Sequence, residues 1–180
     1  NSFVRKGVFS YGDSAVLYRT NAQSRLLEER FVRENIPYKI VGGVNFYARK
    51  EIKDLLCYLK TIDNAQDDLA VKRIINVPKR GIGATTIAKV QDYADENGMS
   101  FYAALRQAEE ISTLSKATAT KIRPFVTFIQ MLRSKLPYIS VEQLMDEIIE
   151  DTGYVAELDA EGTDEARARI ENIDELISKI

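Results

Sequence analysis

The sequence predicts a mixed architecture: a short N-terminal α/β piece, one βαβ unit of a parallel sheet, followed by a mainly α-helical domain containing a helix-hairpin-helix-like element. Three observations predict it. Two short β-branched and aromatic runs, residues 13–19 and 38–41, flank a segment with helical periodicity. A strand, a helix and a strand at that spacing make one βαβ unit of a parallel sheet. Beyond Gly43 the period-2 pattern disappears and every apolar stripe recurs at the helical period.

The elements follow in order. "DSAVLYR" (residues 13–19) reads as a buried strand. Thr20 or Asn21 then offers an N-cap. Residues 22–35 carry Leu26, Leu27 and Phe31 on one stripe, and Pro37 ends the helix by disfavouring helical backbone at Ile36. "YKIV" (38–41) is the second strand, closed by Gly42-Gly43. Because one βαβ unit cannot cover both faces of its sheet, the chain is expected to be a piece of a larger protein. Residues 49–62 place Ile52, Leu55, Leu56 and Leu59 on one helical face. Helices are also expected over 67–77, 85–98, 100–111, 116–136, 140–153 and 163–180, started by Asp67, Thr85, Ser100, Ser140 and Thr163. Ser140 with Gln143 forms a possible capping box, and Gly98 and Gly153 sit where C-caps belong. Pro124 predicts a kink or break inside its helix, and Pro137 a stop. The domain boundary is set at residue 43: 1–43 is the α/β piece, and 44–180 the helical domain, truncated at its C-terminus.

Composition narrows the chemistry. The chain has 180 residues, 45% hydrophobic and 29% charged, with no apolar run long enough to span a bilayer and no signal-peptide pattern. Histidine is absent, which removes imidazole acid/base work and Ser-His or Cys-His nucleophiles. A single cysteine, Cys57, excludes an internal disulfide and argues against structural zinc; its place in an apolar stripe predicts a buried thiol. The net charge of −2 hides an asymmetry: basic residues crowd the first half, and acids dominate from Glu142 to Glu175. The paired carboxylates Asp146/Glu147 and Glu150/Asp151 are read as a solvated helix face.

Three stretches could carry function. "VPKRGIGATTI" puts Lys79 and Arg80 before Gly81-Ile82-Gly83, and Thr85 and Thr86 after it, between two helices. Glycines allow close backbone approach, a helix N-terminus presents amides and a positive dipole end, and Ile82 would plug the turn into the core. The residues alone leave two readings open: a phosphate-contacting hairpin, or a plain helix–helix turn with solvated basic neighbours. "YRTNAQSR" places Arg19, Thr20, Asn21 and Arg25 at the carboxyl end of the first strand, where α/β ligands bind, or where a cap is simply needed. "GGVNFYARKEIKD" interleaves Phe46 and Tyr47 with Arg49, Lys50 and Lys53, a pattern for base stacking or, more often, for anchoring a linker to the core.

Taken in this order, "AVLYRTNAQSRLLEE", "IPYKIVGGVNFYARKEIKDLLCYL" and "RIINVPKRGIGATTI" resemble the superfamily 1 DNA helicases of the UvrD/PcrA type. The resemblance implies part of the second RecA-like motor domain up to Gly43, then most of the accessory subdomain often called 2B. It implies duplex contact by Lys79, Arg80, Gly81, Ile82, Gly83, Thr85 and Thr86, single-strand contact by Arg19, Thr20, Asn21 and Arg25, and a hinge at Gly42, Gly43 and Phe46. Implied partners are duplex and single-stranded DNA, the remaining helicase domains, and repair or transcription proteins, with no membrane. The implied setting is the bacterial cytoplasm at the nucleoid. The chain has no G-x-x-x-x-G-K-[ST] loop, so no cofactor is expected in it; ATP and Mg²⁺ belong to the parent helicase, and the isolated chain is expected to be inactive as an ATPase. A protein-interaction module docking through the acidic C-terminal helices is the alternative, and exposed sheet edges would favour self-association.

Overall fold

The structure is a computed structural model that describes residues 10–18, 21–41 and 45–180. Nine α-helices run through the described residues: α1 (Asn21–Arg33), α2 (Lys50–Asp63), α3 (Asp68–Ile74), α4 (Ala84–Glu96), α5 (Phe101–Arg106), α6 (Lys116–Lys135), α7 (Val141–Thr152), α8 (Tyr154–Glu161) and α9 (Asp164–Ile177). Single 3₁₀ turns lie at Tyr11–Asp13 and Phe46–Ala48.

The expected βαβ unit is not present: among the described residues there is no strand and no sheet. Residues 14–18 and 36–40 are irregular, with no described segment laddered to them. Leu17 is 95% exposed and Val41 85%. An apolar, β-branched run is a necessary condition for a buried strand but not a sufficient one. The strand exists only when a neighbour supplies the ladder and a layer covers its faces, and nothing described does either here. The intervening helix, α1, does form. It ends by tightening, with the Ile36 amide donating to the Phe31 carbonyl at 2.8 Å and Asn35 at a positive φ of 51°.

The helical part follows the stripe pattern. Ile52, Leu55, Tyr58 and Ile62 of α2 are fully buried and form the spine against which α3, α6, α7 and α9 pack. Asp67, Ser100, Ser140 and Thr163 cap their helices through side-chain oxygens, and the Ser140–Gln143 capping box closes in both directions. Gly153 takes the left-handed C-cap of α7. Thr85 is not a cap; Gly83 holds that position. Pro124 does not break α6, which runs through it for 20 residues.

Polar side chains join the layers. Asp54 of α2, 1% exposed, accepts from Arg73 Nε of α3 at 2.7 Å and from the Tyr154 hydroxyl of α8 at 2.8 Å. A buried carboxylate needs such partners to remain in the core. Phe46 is fully buried with the guanidinium groups of Arg25 and Arg49 each 5.1 Å from its ring centre. Arg25 also donates to the Glu175 carbonyl at 2.7 Å, and Arg49 donates to Asn172 Oδ1 at 2.6 Å, so α1 and the Phe46 turn are bolted to α9.

Candidate nucleic-acid interface

The hairpin between α3 and α4 is built from local backbone chemistry and closed by distant side chains. After Ile75 caps α3, the Asn76 side chain accepts the amides of Arg80 at 2.7 Å and Ile82 at 3.3 Å. That Asx-type bridge curls the turn. Gly81 adopts φ +71°, a left-handed conformation that favours glycine. Ile82, 1% exposed, enters the core as expected and pins the tip.

Arg80 turns inward. Its Nη1 reaches the carbonyls of Ile74, Ile75, Val77 and Pro78 at 3.0–3.3 Å, and its Nη2 donates to the Tyr58 hydroxyl at 2.7 Å. Its guanidinium lies 5.3 Å from the Phe125 ring centre. Tyr58 in turn donates to the Val77 carbonyl, and burial pushes its phenol above the usual value despite the neighbouring Arg80 charge. One planar cation thus satisfies the carbonyls left open where α3 ends and the turn begins.

The outward face carries different residues. Lys79, Gly81, Gly83, Ala84 and Thr85 are exposed, and Thr86 is half-buried. Gly83 caps α4 without a side-chain acceptor; the Thr86 amide donates to the Gly83 carbonyl at 3.0 Å, and no cap side chain covers the amides before it. A Cβ on Gly81 would sit 3.6 Å from Lys121 Nζ, while one on Gly83 would meet nothing within 4 Å. Lys121 comes from α6, distant along the chain, and adds a second ammonium at the tip. Nothing in the local pattern around Lys121 signals this, whereas Asn76 is of a type that commonly forms turns. Lys79 also lines a groove of about 160 Å³ with Lys50, Arg169, Glu157 and Glu161.

The other candidate residues lie elsewhere. Arg25 is 1% exposed and committed to Glu29 at 2.8 Å and to the Glu175 carbonyl. Asn21 opens α1, and its side chain lies outside the described residues. Arg19, Thr20, Gly42 and Gly43 also lie outside the described residues. Phe46 is buried in the arginine sandwich, while Tyr47 stands exposed beside it. Asp146, Glu150 and Asp151 face solvent, and Glu147 pairs with Lys135 at 2.7 Å. Among the described residues no group of acids or Cys57 is arranged to hold a metal ion, and no helix is long and apolar enough to cross a membrane. Cys57 is half-buried, and burial pushes its thiol above the usual value.

Comparison with known proteins adds an independent observation. Residues 2–180 match the family model of the UvrD-like helicase C-terminal domain. The chain is 49% identical over 168 residues to the ATP-dependent DNA helicase PcrA of Staphylococcus aureus, covering 93% of this chain and 23% of that protein. It is 48% identical over the same length to the ATP-dependent DNA helicase PcrA of Staphylococcus epidermidis. The chain therefore spans about a quarter of the length of the curated relatives it matches.

Proposed function

The chain belongs to the family of UvrD-like helicase C-terminal domains, and from that membership we propose that it is the duplex-gripping portion of an ATP-driven 3′→5′ DNA helicase acting in the bacterial cytoplasm on the nucleoid. The observation that carries the proposal is the outward face of the hairpin. The start of α4, which has no cap side chain, and the exposed Lys121 ammonium beside Gly81 meet at a glycine turn with no Cβ in the way, and the exposed Lys79 comes two residues before that glycine. Amides at a helix N-terminus and lysines are the chemistry of phosphate contact, which holds the duplex without reading its sequence. Gly81, Ile82, Gly83, Thr85 and Thr86 shape and line this contact. Arg80 supports it from behind, since its fork is committed to main-chain carbonyls.

ATP and Mg²⁺ are assigned to the parent helicase, whose motor segments would draw single-stranded DNA while this hairpin holds the duplex ahead. The chain on its own carries no phosphate loop and is proposed to lack ATP turnover. Docking of a repair or transcription partner is assigned to the exposed acids of α7.

Fluorescence anisotropy on a blunt duplex tests the proposal. The wild-type chain binds with an affinity that falls steeply with salt and is indifferent to sequence. Lys79→Ala with Lys121→Ala lowers affinity equally on every sequence and flattens the slope of log K against log salt by about 0.9 per lysine. Equal affinities for wild type and double variant at low salt would remove the hairpin from the interface.

A further inference from the structure

At the end of the helical body away from the hairpin, the loop before α3, the start of α5 and the last third of α6 enclose a cavity of about 360 Å³. Its wall is polar. Arg106 and Arg133 bring two guanidinium groups to it, and Asn64, Gln66, Gln130 and Ser100 bring amides and a hydroxyl. No carboxylate is among the lining residues, in a chain whose acids outnumber its bases 27 to 25. Arg25, Arg30, Arg73, Arg123, Arg167 and Arg169 each have a carboxylate partner; the two cavity arginines, like Arg33 and Arg80, have none among the described residues. Arg133 makes one long contact, 3.4 Å to the Thr61 carbonyl, and is otherwise uncommitted. Arginines gathered in a concavity without acids leave a positive site suited to an anionic ligand.

We propose that this cavity binds a phosphomonoester group. Two guanidinium groups carry two positive charges, which a phosphomonoester balances with its charge of about −2 near neutral pH, whereas a single carboxylate balances half. The planar forks suit phosphate oxygens bidentately. The amides of Asn64, Gln66 and Gln130 add donors for the remaining oxygens and acceptors for whatever the phosphate is attached to. The cavity volume falls at the small end of small-molecule sites and admits a nucleotide-sized ligand. The phosphate can reach the site on a free nucleotide or on the 5′ end of a DNA strand, and the chemistry of recognition is the same for both.

Isothermal titration calorimetry at constant ionic strength tests the assignment, using adenosine monophosphate, inorganic phosphate, succinate, and one oligonucleotide prepared with a 5′-phosphate and with a 5′-hydroxyl. Saturable binding of adenosine monophosphate is expected, with succinate weaker. Arg106→Gln, at an exposed side chain that bonds nothing else described, lowers the affinity about tenfold or more, the worth of one charge-assisted contact. Arg133→Gln does the same, with circular dichroism confirming its fold. Lys116→Ala, at an exposed side chain outside the cavity, leaves adenosine monophosphate binding unchanged. A free-nucleotide ligand is indicated if the two oligonucleotides bind alike, and a strand-end ligand if the phosphorylated one binds about tenfold tighter or more and only that difference is lost in Arg106→Gln. No saturable binding of any phosphate probe, or equal affinity in wild type and Arg106→Gln, overturns the proposal.

Discussion

Replacing Arg80 with alanine separates two roles that adjacent basic residues could share. The side chain makes three charge-assisted contacts at most: its Nη1 hydrogens are divided among four carbonyls, and its Nη2 donates to Tyr58. At about 1 kcal/mol net for each of three such bonds, with about 0.5 kcal/mol from the Phe125 ring face, the loss comes to about 3.5 kcal/mol. That is a large share of the roughly 5–15 kcal/mol that holds a domain folded. At about 2–4 °C per kcal/mol for a chain of this size, thermal unfolding followed by circular dichroism should shift down by roughly 7–14 °C. Arg80→Lys should recover only part of it, because an ammonium cannot bridge several carbonyls and a phenol in one plane. Lys79→Ala, at an exposed side chain with no bonded partner described, should stay within about 0.5 kcal/mol of wild type. An Arg80→Ala midpoint within about 2 °C of wild type would refute the inward role and return Arg80 to the solvent face.

Three further outcomes follow from the same geometry. Gly81→Ala should destabilise by about 1–2 kcal/mol because φ is +71°, whereas Gly83→Ala, with φ −86° and open space, should lose only the N-cap preference of about 0.5 kcal/mol; urea unfolding of both variants checks the order. Burial raises the phenols of Tyr58, Tyr102 and Tyr154 above the ordinary 10.0, so the unfolded chain ionises first and the folded chain holds more protons. Stability should therefore be flat below about pH 10 and fall above it, by up to about 1.4 kcal/mol per pH unit for each tyrosine, and Tyr154→Phe should make the alkaline limb shallower. Cys57, its thiol raised by burial, should react with Ellman's reagent at about pH 8 more slowly than after unfolding in urea; equal rates would contradict its packing.

Most of the helical body is legible in the amino-acid sequence. Asp67, Ser100, Ser140 and Thr163 cap helices because a side-chain oxygen and an amide three residues on meet through local geometry alone. The candidate site is half legible: the glycine turn and the buried Ile82 follow from "GIG", but the roles of its two basic residues do not. Lys79 and Arg80 are adjacent and alike in charge, yet one faces water and the other is held by Tyr58, 22 residues earlier, and by Phe125. Lys121 reaches the turn only through the packing of α6. Pro124 stays within a continuous helix although its ring removes a hydrogen bond.

By itself, then, the sequence determined what is decided within about four residues along the chain: the helical period, the caps, and a turn that requires a positive φ at Gly81. Tertiary structure alone decided whether the runs at 14–18 and 38–41 would become strands, and they did not. It also decided that Arg49 and Arg25 would be locked against α9 through bonds spanning 123 and 150 residues. A ladder or a guanidinium cage needs a partner from elsewhere in the chain, and no local pattern states where that partner will be.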